Sequence, residues 1–137
     1  MNEDIRWQQR FENFDRAVAL LREPIERGVT LLSNLEKEGT IQRFEVTVEL
    51  AWKILHDYLT SEGRVVQSVT PRNVFKEAFA TGIVRDGQVW IDMLNHRNLL
   101  SHTYDASVFD QAVLELRDRY FPAIKELHAW FLERRTA

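Results

Sequence analysis

The sequence predicts an all-α protein, an up-and-down bundle of about five helices forming a single domain over residues 1–137. Three observations carry this expectation. Apolar residues recur at spacings of three and four along most of the chain, the period of a helix face. No alternating apolar–polar run is long enough to build a sheet; the best strand candidate, residues 64–69 (Arg-Val-Val-Gln-Ser-Val), is short and alone. The Gly and Pro residues, few in number, fall where helices would start, stop or bend. A chain of 137 residues fits one domain and buries roughly two-thirds of its unfolded surface, enough for a core without staples.

The elements follow in order. Phe11, Phe14, Val18, Leu21, Ile25, Leu32 and Leu35 form a helical seam, with Gly28 in its one vacant place. Pro24 lies inside the seam, and because the phase survives it, a kinked helix is expected there. Gly39 and Thr40 read as a stop and a new N-cap. From Ile41 to Leu59 apolar residues cover more than one face, as in a central helix packed by several neighbours, with Gly63 as its C-cap. Thr70 and Pro71 start a short third helix that turns Val74, Phe75, Ala78 and Phe79 inward and ends at Gly82. Asp86 caps a fourth helix carrying Val89, Trp90, Met93 and Leu94. Residues 101–107 interrupt the pattern. A last helix then runs from Phe109 to Phe131 with a kink expected at Pro122.

Composition removes several function classes. There is no cysteine, which excludes a disulfide scaffold, a thiolate metal site and a cysteine nucleophile, and suits a reducing compartment. The net charge of −3 excludes a generally basic nucleic-acid coat but not a local basic site. No run approaches the ~18 apolar residues of a membrane span, and the first residues lack the pattern of a signal peptide, so a cytoplasmic protein with no membrane association is expected. The four histidines, His56, His96, His102 and His128, include no pair at the spacing of a helical zinc motif; neither metal nor cofactor is expected. His56 and His128 read as core-edge or solvated residues.

The segment from Asn95 to Asp105 stands out as polar and rich in hydrogen-bonding groups at a helix junction. Arg97 shares the apolar face of the fourth helix with Trp90 and Leu94, and an inward guanidinium needs partners. One reading is an ion pair with Glu45 or Glu49 of the central helix; another is a cleft in which Arg97 binds an anion. In an unbroken helix Arg97 and His102 would lie about 140° apart and Arg97 and Tyr104 nearly in line. Bringing the His beside the Arg requires the helix to end near Ser101, or a second subunit. An Arg, a His and a Tyr on one cleft suit a phosphodiester: Arg stabilises developing phosphorane charge, and His moves the proton of a 2′-hydroxyl near neutral pH. Asp105 either orients Arg97 or His102 or caps the last helix.

Arg97-Asn98-Leu99-Leu100-Ser101-His102-Thr103-Tyr104 resembles the Arg-x4-His-x-Tyr motif of the HEPN superfamily in its HepT-like toxin form, the polar Asn98 after the Arg included. A second stretch, Ile41 to Lys53, is similar to the signature of the subfamily called nucleotidyltransferase substrate-binding proteins, and Thr70-Pro71-Arg72 and Tyr104-Asp105 fit that subfamily in order and spacing. The resemblance implies a helical homodimer whose motifs line an interface cleft, encoded beside a minimal nucleotidyltransferase and complexed with it. Two functions are implied. In one, the chain is a metal-independent endoribonuclease of a toxin–antitoxin-like module, with Arg97 and His102 catalytic and Tyr104 nucleotidylated by the partner. In the other, it is a non-catalytic subunit that binds substrate for the nucleotidyltransferase, with Arg97, His102 and Arg43 contacting a nucleotide. A third reading, from the residues alone, is a helical adaptor with no ligand. Asn98, Asp105, Arg43 and Glu49 are supporting residues, with Glu45 and Glu49 as structural partners of Arg. Trp52 and Lys53 serve packing and the rim, or stack on a base. A homodimer is also expected because the inward faces plus Trp7, Trp90, Trp130 and Phe131 look like more apolar surface than one bundle can hide.

Overall fold

The computed structural model describes residues 2–100, 102 and 105–136, with the side chains of residues 2–4 and 136 left undescribed. The described residues form an all-α bundle. Its elements are α1 (Asn2–Arg27), a 3-10 turn (Val29–Leu31), α2 (Asn34–Ser61), α3 (Pro71–Ala80), α4 (Gly87–Leu100), α5 (Ala106–Glu115), a π-helical turn (Leu116–Tyr120) and α6 (Phe121–Thr136). The π turn joins α5 to α6 without a break, so the bundle has five rods among the described residues. No helix among them is long and apolar enough to cross a membrane.

The start of the chain departs from the expected course. The first helix ends at Arg27, because Gly28 leaves helical space at φ 109°. The second then starts at Asn34 rather than after Gly39. Ser33 accepts the backbone N–H of Glu36, and the Glu36 carboxylate accepts that of Ser33, a reciprocal cap that satisfies two otherwise orphaned donors. Gly39 is exposed within the helix, and Thr40 is not a cap; its hydroxyl donates to the Glu36 carbonyl at 2.8 Å inside α2. Leu35, counted in the seam, is exposed, whereas Leu32 is buried.

Pro24 neither ends α1 nor leaves its carbonyl partner orphaned. A proline at this position removes the donor that Leu20 C=O would receive. Arg43 of α2 supplies it instead, donating from Nη1 to the Leu20 oxygen at 2.8 Å. Near Pro122 the adjustment is different: the π turn precedes the proline, and the Phe121 N–H reaches back to Leu116 O. The widened turn accommodates a ring that cannot donate.

The remaining boundaries match their signals, except that α5 begins at Ala106, inside the interruption expected over residues 101–107. Gly63 adopts φ 76° and the Arg64 N–H bonds Leu59 O at 2.9 Å, closing α2. Thr70 accepts from Asn73 N–H with Pro71 first in α3, Gly82 ends that helix at φ 81°, and Asp86 accepts from Val89 N–H at the head of α4. Residues 64–69 form no strand; they are a loop in which Val65 is exposed.

Helix α2 is central, touching α1, α3, α4 and α5. Phe11, Phe14 and Leu21 of α1 meet Phe44, Val48 and Leu55 of α2, Trp90 and Met93 of α4, and Ile124 and Phe131 of α6 in one core. Two side-chain expectations fail here. Phe79 is 53% exposed rather than inward. Trp7, Trp90 and Phe131 are buried within this one chain, and Trp130 is half-buried with its ring edge-on to Tyr58 at 5.0 Å. The predicted surplus of aromatic surface is thus absorbed by the bundle, and these residues give no ground for a dimer.

Candidate functional site

The site is built on the end of α4. A second, smaller apolar cluster holds Leu100 against Val29, Leu32, Ile41, Ala112 and Val113. Burying Leu100 pins the helix end and leaves the preceding Asn98 and Leu99 exposed. Arg97 lies in the last turn, where the helix dipole favours a cation. Its side chain is 21% exposed, and the guanidinium donates from Nη1 to Glu49 Oε2 of α2 at 2.9 Å.

Glu49 also faces Lys53 Nζ at 3.4 Å. The buried Trp52 indole N–H acts on the same carboxylate without reaching full hydrogen-bond geometry. Burial alone would raise the Glu49 pKa, but Trp52, Lys53 and Arg97 together hold it below the ordinary glutamate value. Glu45, one turn earlier, behaves oppositely. Burial raises its pKa and the charge of Arg97 offsets this only in part. Of the two acids expected as Arg97 partners, Glu49 makes the ion pair and Glu45 remains at the edge of its field.

Glu45, Val46, Glu49, Leu50, Arg97 and Asn98 line an open groove of about 520 Å³ between α2 and α4. Arg97, Glu49 and Asn98 are therefore brought together. His102 lies in an exposed turn past the end of α4, and its N–H bonds Leu99 O at 3.2 Å. Tyr104 lies outside the described residues. Asp105 is engaged in capping: its carboxylate accepts Ser107 Oγ–H at 2.8 Å and Ser107 N–H at 2.9 Å, and these bonds lower its pKa.

Arg43 does not join the groove. Its guanidinium is directed at α1, to Leu20 O and to Glu23 at 3.5 Å, and it completes the hydrogen bonding that Pro24 disrupts. It is therefore not brought beside Arg97, with which the nucleotide-binding reading grouped it. Among the described residues no group of three or more His, Asp or Glu side chains is placed to hold a metal.

Two interactions of α4 carry no signal in the sequence. His96 Nδ1 meets Tyr120 OH at 2.6 Å inside the bundle, and burial, with Glu115 and Asp92 nearby, pushes the Tyr120 hydroxyl up to about 12. On the outer side, Arg72 donates to Asn95 Oδ1 at 3.1 Å. The π turn sets the phase of Tyr120, and no local pattern announces it; the Arg72–Asn95 hydrogen bond needs only the antiparallel pairing of α3 with α4. His128, an expected core-edge histidine, stacks on Phe11 and reaches Asp15 at 2.7 Å.

Three similarities bear on this arrangement. Residues 9–132 match the model of the family described as nucleotidyltransferase substrate binding protein like. A probable ribonuclease HepT of Haemophilus influenzae is 30% identical over 70 residues, which are 49% of this chain and 48% of that protein; the chain thus spans about half the length of this curated relative. The solved structure of a substrate binding domain of a nucleotidyltransferase, also from Haemophilus influenzae, superposes with a TM-score of 0.59 at 21% identity, covering 96% of this chain and 97% of that one. The last likeness is one of fold and agrees with the helical bundle. With the family model running from α1 through α6 and across the Arg97 groove, the chain belongs to the family of nucleotidyltransferase substrate-binding-like proteins.

Proposed function

We propose that this chain is the HEPN-type partner of a minimal nucleotidyltransferase and a metal-independent endoribonuclease acting through Arg97 and His102. The observation that carries the reading is the end of α4. There a guanidinium held by Glu49 borders an open groove, and an exposed histidine follows one turn later. The name of the HepT relative supports the same class of reaction.

The chemistry fits these groups. Arg97 holds the scissile phosphate and stabilises its developing charge. His102 takes the proton from the 2′-hydroxyl, whose oxygen attacks phosphorus. The bond from phosphorus to the 5′-oxygen breaks, a proton reaches that oxygen, and the products are a 2′,3′-cyclic phosphate and a 5′-hydroxyl. Glu49 orients Arg97 and is a positioning residue. Tyr104, two residues beyond His102, is the acceptor for nucleotidylation by the partner; a nucleotide there would set a bulky anion beside Arg97 and repel RNA. A second copy of the chain completes the cleft as a homodimer. Half-exposed Val46 and Leu50, which line the groove with Arg97, provide apolar surface for that interface.

A second reading rests on one specific feature. The Arg97 charge is already met by Glu49 at 2.9 Å, as suits a subunit that binds a nucleotide without cutting it. RNA incubated with wild type and with His102→Ala separates the two readings. Cleavage by wild type alone supports the ribonuclease; nucleotide binding with no cleavage by either supports the binding subunit.

A further inference from the structure

Residues on the outer side of the α3–α4 hairpin form a row that runs to the end of α4, with His102 in the turn beyond it. On α4, Ile91, Asn95, and Asn98 or Leu99 recur at spacings of three or four and share one face, and His102 follows in the exposed turn beyond the helix. On α3, Phe79, Lys76 and Arg72 form the matching row, running in the opposite direction. Lys76, Phe79 and Ile91 line a groove between the two helices, and the Arg72–Asn95 hydrogen bond lies one turn beyond it. From Gln88 at its foot to Leu100 at the end of α4 the row is about 18 Å long, from the rise of a helix.

The groups in this row are unusual for a solvated surface. Phe79 is 53% exposed, and its ring lies against the backbone of Gly87, where an added Cβ would come within 3.0 Å of Phe79 Cγ. One side of the ring is therefore supported and the rest is open. Arg72 and Lys76 are exposed and make no ion pair among the described residues, Arg72 being held only by the amide of Asn95. The other charges at the groove are committed: Arg85 is held at two points by Glu126, and Asp86 caps α4. Neighbouring Glu77 pairs with Arg64.

We infer that the α3–α4 groove is a track for single-stranded RNA, in which Phe79 stacks a base, Lys76 and Arg72 hold successive phosphates, and the strand is delivered to His102. An exposed aromatic ring with uncommitted cations in line is the combination that binds single strands without reading sequence. A protein partner would instead be expected to find acids or a broader apolar face. The inference rests on the ribonuclease reading above, because it supplies the substrate path for that site.

The test uses the full chain and a fluorescent oligouridine bearing 2′-O-methyl groups, which cannot be cleaved, with binding followed by anisotropy over a range of salt. Phe79→Ala should weaken binding by roughly 5- to 150-fold, the range for losing one base stack. The double variant Arg72→Gln, Lys76→Gln should lower the salt slope by about 1.4, or about 0.7 for each phosphate no longer neutralised. That variant lies wholly on the surface and keeps the test valid if Phe79→Ala loosens the hairpin in thermal melts. If wild type binds the oligomer and both variants bind it equally well, the track is refuted while the ribonuclease reading stands. If the variants keep RNA but lose the nucleotidyltransferase partner, the groove is a protein dock and the inference is wrong. If wild type neither binds nor cleaves RNA, both fail together.

Discussion

Replacing Arg97 with alanine distinguishes a residue retained for chemistry from one retained for the fold. Its Glu49 partner has a side chain 42% exposed, while Arg97 itself is 21% exposed. A fully buried pair broken on one side costs about 3–5 kcal/mol, and an exposed pair about 1 kcal/mol or less. Glu49 is open to water and keeps Lys53 at 3.4 Å when Arg97 is gone, so the cost belongs at the lower end, about 1 kcal/mol. For a chain of this size that is a fall in Tm of about 4 °C. The sign with pH follows from Glu49. Its pKa is lowered on folding, so the stabilisation it supplies is present above its ordinary value of 4.5 and fades as pH falls through the lower folded value. Wild type and variant should therefore melt closer together in acid than at pH 7. RNA cleavage should meanwhile drop about 10²-fold or more at neutral pH, since the transition-state phosphate no longer meets a guanidinium. Differential scanning calorimetry beside a gel-based cleavage assay reads both quantities. A fall in Tm well above 10 °C, with no cleavage to lose in wild type, would show that Arg97 is a structural brace and refute the reasoning.

Glu45→Gln should act in the opposite sense to loss of the Glu49 pair. Folding raises the Glu45 pKa, so its charge opposes folding at neutral pH, and removing it should raise Tm by about 1–2 °C at pH 7 and by nothing below the ordinary glutamate range. A lower Tm at pH 7 would mean that the field of Arg97 outweighs burial. Ser33→Ala should cost about 1 kcal/mol by opening the reciprocal cap at the head of α2, visible as a shifted urea midpoint with unchanged slope. Tyr104→Phe should keep much of the RNA cleavage yet accept no nucleotide from the partner, as read by intact-protein mass spectrometry; transfer at undiminished level would assign the acceptor elsewhere.

How much of this molecule can be read from its sequence depends on whether the signal is local. Thr70-Pro71, Gly63, Gly82, Asp86 and Asp105 carry their own backbone chemistry, and each boundary falls where that chemistry requires. The α1–α2 junction misleads because the three-four spacing runs on through Gly28 and hides the Ser33–Glu36 cap, making Gly39 look like the stop. Arg43 illustrates the other limit. Its position in a family-like stretch suggests a ligand contact, but its partner is the Leu20 carbonyl on another helix, which Pro24 leaves without a donor. Phe79 looks like a core residue by period alone, but in the fold its ring lies against the Gly87 backbone at the surface, more than half exposed. The Arg97–Glu49 pair is one of two legible options, because an inward guanidinium on α4 must meet an acid on the central helix.

The central claim is that this chain cuts RNA with its own side chains. It is tested most directly by incubating the purified chain, without its nucleotidyltransferase, with single-stranded RNA in excess EDTA and identifying the ends produced. The account predicts cleavage that survives chelation, yields 2′,3′-cyclic phosphate and 5′-hydroxyl ends, and disappears in His102→Ala. Cleavage abolished by EDTA and restored by magnesium or zinc, or cleavage undiminished in His102→Ala, would contradict it.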